Sequence, residues 1–255
     1  MSLRRRHVCL LPLSLPGLAA WGQGREALRI GWSEYPPFQV RTASGGPQGL
    51  DVELMELLAQ AAGERLQWQR RPWARQMSDV AQGALDLVPS TTHAPERLAF
   101  GDFTLPYRQE RVALFALAGG APPLRHLAEL KGRAVKVGFI RGVVFPAVVR
   151  RELDDPDLAR LLVPLHANDL TLSALRSRRV DYVIDDRLTL LHRASVEPGD
   201  AVQVALELAV SPVHVFVGRH VLVQRPDLLQ RLNQGLQRAR QQPDWAQALA
   251  RHPGV

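Results

Sequence analysis

The sequence Ser90-Thr91-Thr92-His93-Ala94-Pro95-Glu96-Arg97 follows an apolar run, residues 84–88, that predicts a short buried strand. Hydroxyl groups and backbone amides therefore emerge where that strand ends. Pro95 breaks the chain and opens a helical turn that carries Arg97. Such a turn offers an anion hydroxyls, amides and a guanidinium, the preferred bidentate partner of a carboxylate. The alternative is a polar surface turn in which Arg97 is solvated.

The composition is that of a globular protein of one large or two small domains. The chain has 255 residues, of which 46% are hydrophobic, which is enough to bury a sizeable core. Three of the formal net charges of +7 come from Arg4, Arg5 and Arg6, and the other basic residues are scattered among 25 acidic ones. No basic run is interleaved with aromatic residues, so nucleic-acid binding is not favoured.

Residues 1–22 are predicted to be a signal peptide. A basic segment at residues 4–6 precedes an apolar run at 8–20, and small residues follow at 19, 20 and 22. The run is too short for a membrane anchor, and the alternative is a buried N-terminal helix. Cys9, the only cysteine, lies in this segment, so the exported chain needs no disulfides. Export to the periplasm is therefore expected.

Strand and helix patterns alternate after this segment. Residues 28–32 predict a strand, and Tyr35-Pro36-Pro37-Phe38 predicts a loop in which Phe38 packs on the core and Tyr35 faces a ligand. Residues 49–63 then predict an amphipathic helix that Asp51 can cap and Gly63 ends. The order of elements indicates a largely parallel α/β sheet, whose ligands collect at the carboxyl ends of the strands.

Four ordered landmarks carry a resemblance to a known family. The sequence Gly49-Leu50-Asp51-Val52-Glu53-Leu54, with Ala59, resembles the signature of the family-three extracellular solute-binding proteins. The Tyr-Pro-Pro-Phe loop precedes it and Pro-Glu-Arg follows it, in the family's order, and the resemblance extends over about residues 28–250. It implies the type II periplasmic-binding-protein fold: two α/β lobes, each a mostly parallel sheet flanked by helices, joined by two hinge strands. Lobe one would comprise 28–115 plus 217–255, and lobe two 116–216.

The resemblance also implies a set of ligand-binding residues. Trp73 stands where family members often place an apolar residue over the ligand, although burial between helix and sheet would explain it equally. Gly142 and Val143 resemble the ligand loop of the second lobe, in which the family often has threonines where this chain has Val143 and Val144. Asp186 matches the carboxylate that receives the ligand's α-ammonium; the alternative is surface pairing with Arg187. The full predicted set is Tyr35, Trp73, Ser90, Thr92, Arg97, Gly142, Val143 and Asp186.

The function that the resemblance implies is periplasmic capture of a small polar ligand, an amino acid or related zwitterion. Hinge closure would hold the ligand, and an ABC permease in the inner membrane would receive it, with the chain acting as a monomer and not as an enzyme. No cofactor is expected: the eight histidines show no metal-ligand spacing, and no nucleotide-binding glycine loop occurs.

Two rival functions remain open from the sequence. A few relatives of the family dehydrate cyclic acids derived from chorismate, which requires a general acid in the cleft; Glu34 and Asp185 are the only candidates near it. Similar domains also serve as ligand-sensing modules of receptors. The absence of a following transmembrane segment in this sequence argues against an attached signalling domain.

Overall fold

The computed structural model describes residues 26–120, 122–166 and 170–252, so the predicted signal peptide at 1–22 lies outside the described residues. The strands are β1 (Leu28–Trp32), β2 (Val40–Arg41), β3 (Pro47–Gln48), β4 (Leu66–Arg70), β5 (Leu87–Thr92), β6 (Gly101–Phe103), β7 (Arg108–Leu117), β8 (Val137–Ile140), β9 (Leu162–Leu165), β10 (Tyr182–Asp186) and β11 (Val202–Gly218). The helices are α1 (Leu50–Ala62), α2 (Trp73–Ala81), α3 (Ala147–Leu153), α4 (Pro156–Ala159), α5 (Leu170–Arg176), α6 (Arg187–Val196), α7 (Arg219–Gln224), α8 (Leu228–Ala239) and α9 (Pro243–Ala250), with 3₁₀ helices at Pro95–Ala99 and Leu127–Leu130.

One sheet of nine strands runs through both halves of the molecule. Its order is β4-β1-β5-β11-β7-β10-β8-β9, with β6 also paired to β11. The strands β4, β1 and β5 are parallel to one another, as are β10, β8 and β9, whereas β11 and β7 run antiparallel at the centre. Residues 202–213 of β11 pair with β7 and residues 213–217 pair with β5. This long strand therefore crosses from one half to the other.

Separate hydrophobic cores support the two halves. The first lies between β1, β5 and the end of β11 and the helices α1, α8 and α9, and it includes Ile30, Leu54 and Leu232. Two further clusters cover the opposite faces of β7 and β10, with Leu114 and Ile184 on one face and Phe115 and Val183 on the other. The predicted α/β fold with two lobes and hinge strands is confirmed.

The core packing favours lobe boundaries different from those predicted. Val112 and Leu114 are buried in the core of the second lobe, although the predicted boundary put residues up to 115 in lobe one. Val213 and Val215 are buried in the core of the first lobe, although the prediction put residues up to 216 in lobe two. We therefore propose that the chain crosses near Arg111 and returns near Ser211, where β7 and β11 pass between the cores.

Helix α1 begins at a glycine and not at an Asp51 cap. Gly49 has a φ of 117°, and a Cβ atom there would lie 2.5 Å from the carbonyl oxygen of Pro37. Asp51 makes no capping hydrogen bond, because its buried carboxylate pairs with Arg108 across the core of the first lobe. Gly63 ends the helix in the left-handed conformation, as predicted. Within residues 26–120, 122–166 and 170–252, none of the helices has the length and the apolar character that a membrane span requires.

Candidate functional site

A cleft of about 780 Å³, counting the space at its mouth, separates the two lobes. It lies at the carboxyl ends of β1 and β5 in the first lobe and of β8 and β10 in the second, where open parallel sheets place their ligands. Seven of the eight predicted residues line it: Tyr35, Trp73, Ser90, Thr92, Arg97, Val143 and Asp186. Gly142 does not line the cleft; the space beside its Cα faces Ala74 of the first lobe.

Arg97 is a buried cation at the wall of this cleft. The residue is only 5% exposed, and Nη1 donates a long hydrogen bond, 3.4 Å, to the carbonyl oxygen of Thr92. Among the described residues no acidic side chain forms an ion pair with it, since Glu96 pairs instead with Arg150. Burial lowers the pKa of the guanidinium, and the charge of Glu96 partly opposes that effect. A buried guanidinium without an acidic partner favours the binding of an anion, which would compensate its charge.

Ser90 belongs to a polar network inside the first lobe. Its hydroxyl donates to Asp51 Oδ2, and its backbone amide donates to the hydroxyl of Tyr107 at 3.1 Å. Arg108 Nε donates to Asp51 Oδ1 at 2.7 Å, and both side chains of this ion pair are fully buried. Ser90 itself has a positive φ of 56°. Because both of its donors are used internally, Ser90 shapes the wall of the cleft and leaves Thr92 as the hydroxyl next to Arg97.

Tyr35 faces the cleft and is joined to a residue that the sequence interpretation missed. The Tyr35 hydroxyl donates to Glu110 Oε1 at 2.5 Å, and the ring packs on Phe38 with 5.2 Å between centroids. Phe38 is fully buried, as predicted, and the guanidinium carbon of Arg108 lies 3.8 Å from the centroid of its ring. Burial, together with the charges of Glu110 and then Asp186, raises the pKa of Tyr35, so the phenol remains a donor.

Glu110, Asp186 and Asp185 form the acidic part of the cleft. Burial and the nearby charge of Asp186 raise the pKa of Glu110 to about 7. Burial raises the pKa of Asp186 to about 6, against the opposing charge of Arg108, and burial likewise raises that of Asp185 to about 6. Three carboxyl groups facing one space hold protons more tightly than isolated ones because like charges repel. A cation bound here would relieve that repulsion.

Asp186 lines the cleft and also supports the fold. It stands at the end of β10 and caps α6, where its Oδ1 accepts a hydrogen bond of 2.8 Å from Thr189 N. The side chain is buried, at 4% exposure, and it does not form the predicted alternative pair with Arg187, which binds Glu207 instead. Asp185 Oδ1 accepts a bond from Asp186 N at 2.8 Å, which holds the two carboxylates in a fixed relation.

The apolar lining of the cleft comes from both lobes. Trp73 is half-buried and packs against clusters of the first and the second lobe. On the facing side Val143 is 38% exposed, and Val144 and Phe145 are half-buried beside it. The Phe145 ring packs against the Phe139 ring, with 5.9 Å between the two centroids. The loop after β8 therefore presents methyl groups and an aromatic ring to the cleft.

Two functional candidates, Glu110 and Arg108, escaped the sequence interpretation. They occur in Arg108-Gln109-Glu110-Arg111, a charged tetrapeptide ahead of an apolar strand, which is typical of a solvated strand end. The one available signal was the position of this tetrapeptide just before a predicted hinge strand. Within the part of the chain that the structure describes, no group of three or more His, Cys, Asp or Glu side chains could hold a metal ion.

Comparison with known proteins gives the family. The model for bacterial extracellular solute-binding proteins of family 3 matches residues 28–254. A probable histidine-binding protein of Neisseria gonorrhoeae is 24% identical, covering 86% of this chain and 80% of the relative. The L-arginine-binding protein of Pseudomonas aeruginosa is 28% identical, covering 72% and 68%. A cyclohexadienyl dehydratase of the same organism is 23% identical, covering 64% of this chain and 57% of the relative.

Solved structures agree on the fold. An ancestral arginine-binding protein bound to arginine superposes with a TM-score of 0.76 at 22% identity. The superposition covers 91% of this chain and 100% of the ancestral protein. A histidine kinase sensor domain with similarity to periplasmic binding proteins has the same TM-score of 0.76, also at 22% identity, covering 91% and 97%. The match of the family model over nearly the whole described length shows that the chain belongs to the bacterial extracellular solute-binding proteins of family 3.

Proposed function

We propose that this protein captures a small zwitterion, an amino acid or a close relative, in the interlobe cleft. The ligand's carboxylate binds Arg97 and the hydroxyl of Thr92, and its ammonium group binds the carboxylate of Asp186. Each end of the ligand then meets a buried group of opposite charge, which removes the cost of leaving either charge without a partner. The relatives named for histidine and arginine support an amino acid as the ligand class.

The observation that carries this proposal is the pairing of charges across the cleft. Arg97 belongs to the first lobe and Asp186 to the second, and both line the same space. Each is at most 5% exposed, and among the described residues the two do not form an ion pair with each other. A zwitterion fits between them in one orientation, with its carboxylate towards Arg97.

Closure of the lobes about β7 and β11 completes the proposed mechanism. The ligand docks on the first lobe through Arg97, and closure brings Asp186 to its ammonium group and excludes water. Exclusion of water lowers the local dielectric constant and strengthens the charged hydrogen bonds. The closed form is then the form that an ABC permease of the inner membrane recognises. Periplasmic location follows from the predicted signal peptide and agrees with the extracellular family.

The variant Arg97→Ala tests the proposal. A thermal-shift screen of the wild-type protein over amino acids identifies a ligand by a concentration-dependent rise in melting temperature. We expect Arg97→Ala to weaken binding of that ligand by about a hundredfold or more, since two charge-assisted hydrogen bonds are lost. The melting temperature without ligand should stay the same or rise, because the variant removes an uncompensated buried charge.

Arg133→Ala is the matched control for this test. Arg133 is exposed and precedes β8, whose opposite, carboxyl end faces the cleft. The Arg133→Ala variant changes the net charge by the same amount as Arg97→Ala. The affinity for the ligand, measured by calorimetry, should stay unchanged in this variant. Equal affinity of the Arg97→Ala variant and the wild-type protein would refute the assignment of Arg97 as the carboxylate site.

A second candidate function is favoured by Glu110. A cleft dehydratase needs a general acid that is protonated near neutral pH, and Glu110, with its pKa raised to about 7, is such a group. Of the two acids predicted for that role, Asp185 lines the cleft, whereas Glu34 lines the adjoining space at its mouth. Incubation with prephenate or arogenate, followed by ultraviolet detection of an aromatic product, separates an enzyme from a binding protein.

A further inference from the structure

The cleft divides into a charged part near the hinge and an apolar part farther out. In the sheet order, β5 and β10 lie closest to the crossing strands β11 and β7. Arg97 follows β5, and Asp186 ends β10, so the paired charges belong to this inner part. The strands β1, β4 and β8 lie farther from the crossing. The side chain of a zwitterion held by Arg97 and Asp186 therefore extends towards the ends of β4 and β8.

The outer part has apolar walls, which we call the apolar section. It consists of Trp73 after β4, and of the end of β8 with the loop that follows it. The members of the apolar section are Trp73, Ile140, Val143, Val144, Phe145 and Pro146. Most of these side chains are only partly covered by the protein. Apolar surface left open to water at a binding cleft is surface that a ligand can cover.

The mouth beyond the apolar section is basic. A neighbouring space shares Ser33, Trp73 and Ile140 with the cleft and is lined as well by Arg70, Arg71, Arg141, His166 and Glu34. Arg71 is paired with Asp79 at 3.2 Å. Arg70 and Arg141 are exposed and line this space, and Glu34 is the one acidic residue among the described residues of its lining. A cationic side chain reaching out of the apolar section would meet this positive potential and would lose its hydration in the apolar section first.

We propose that the cleft selects zwitterions whose side chain is uncharged, apolar and of aromatic size, and rejects those whose side chain is cationic. The inference rests on the proposed function, because it assumes that Arg97 and Asp186 hold the two ends of an amino acid. The carboxylate and the ammonium group of the ligand then contribute a binding free energy that all amino acids share. Contact with the apolar section gives the specificity.

Isothermal titration of the full exported chain with four amino acids tests the selection. L-Alanine reports the shared charged contacts, L-phenylalanine and L-leucine report the apolar section, and L-arginine reports tolerance of a cation. We expect L-phenylalanine to bind at least about tenfold more tightly than L-alanine, since burial of an aromatic ring contributes that much. L-Arginine should bind no more tightly than L-alanine.

Variants at two positions, Phe145 and Arg141, localise the effect. Phe145→Ala should reduce the ratio of L-phenylalanine to L-alanine affinity severalfold, and Phe145→Leu should largely restore it. Because this readout is a ratio within one variant, a general loss of stability does not imitate it. Arg141→Gln should raise the affinity for L-arginine and leave that for L-alanine unchanged.

Each result bears on a different claim. Binding of L-arginine more tightly than L-phenylalanine, with both lost in Arg97→Ala, would overturn the selection and leave the proposed function standing. No binding of any of the four amino acids, together with no thermal shift in a wider amino-acid screen, would overturn the proposed function and the inference with it. An unchanged affinity ratio in Phe145→Ala would also refute the role of the apolar section.

Discussion

Glu110 and Arg97 are side chains whose chemistry is set by what surrounds them and not by their own type. Arg97 is buried in a wall where the described residues offer it no acidic partner. Burial, and then the nearby charge of Asp186, raise the pKa of Glu110 to about 7. By contrast, Arg108 and Asp51 are equally buried but compensate each other at 2.7 Å. Arg97 can therefore bind an anionic ligand and Glu110 can exchange a proton, whereas the ion pair of Arg108 and Asp51 supports the wall of the cleft.

Glu110 should make the stability of the protein depend on pH. Its pKa is raised from 4.5 to about 7 in the folded protein, so the folded state binds more protons than the unfolded state between those values. The free energy of unfolding should therefore fall as the pH rises from about 5 to 8, by about 1–3 kcal/mol from this group. The raised pKa values of Asp185 and Asp186 act in the same direction at slightly lower pH.

The variant Glu110→Gln isolates that contribution. Its amide oxygen still accepts the hydrogen bond from Tyr35, but the side chain no longer titrates. Urea unfolding at several pH values between 5 and 8 should show a flatter dependence than in the wild-type protein. Glu152→Gln removes an exposed carboxylate outside the cleft and is the matched control. A wild-type profile in which stability rises over this interval would contradict the assignment.

At the scale of elements, the start of α1 depends on one close approach of the backbone. Gly49 enters the helix at a φ of 117° and a ψ of −179°, a region open almost only to glycine. The chain beside it carries the carbonyl groups of Pro37 and Phe38, to which Leu50 N and Asp51 N donate hydrogen bonds. The helix and the loop that positions Tyr35 are thereby joined, so α1 serves the site although it does not line it.

Two glycine substitutions at the ends of α1 should differ in cost. Gly49→Ala would place a Cβ atom 2.5 Å from the Pro37 oxygen, whereas a Cβ at Gly63 would meet nothing within 4 Å. We expect Gly49→Ala to lower the free energy of unfolding by about 3 kcal/mol or more through strain and overlap. Gly63→Ala should lower the free energy of unfolding by only about 1 kcal/mol, because alanine is less stable than glycine in the left-handed conformation. Chemical denaturation of the two variants measures the difference, and equal losses would contradict the argument.

For the whole molecule, one ion pair joins the two lobes directly. Glu96 lies in the 3₁₀ helix of the first lobe and Arg150 lies in α3 of the second, with 3.6 Å between Oε1 and Nη1. Both side chains are about half exposed, at 56% and 45%, so the pair contributes at most about 1 kcal/mol. A contribution of that size does not hold the lobes shut, but it biases the equilibrium between open and closed forms.

Reversal of one charge should therefore weaken ligand binding modestly. We expect Arg150→Glu to lower affinity by about two- to fivefold, since it replaces attraction between the lobes by repulsion. The double variant Glu96→Arg with Arg150→Glu should recover part of that loss. The measure is the coupling in a double-mutant cycle of calorimetric affinities, which should shrink at high salt. Additive effects at low salt would show that the pair does not contribute to closure.

The amino-acid sequence by itself determined the family, the two-lobed α/β fold and most of the surface of the cleft. These follow from local patterns: the Gly49 helix entry, the proline-bounded loops and the polar residues that come directly after apolar strands. Only the tertiary structure decided that Ser90 uses its donors within the first lobe, that Asp51 pairs with Arg108, and that Glu110 joins the cleft. The physical reason is that hydrogen bonding, burial and pKa shifts depend on neighbours distant in the chain. Arg108 lies 57 residues from Asp51, and Tyr35 lies 75 residues from Glu110.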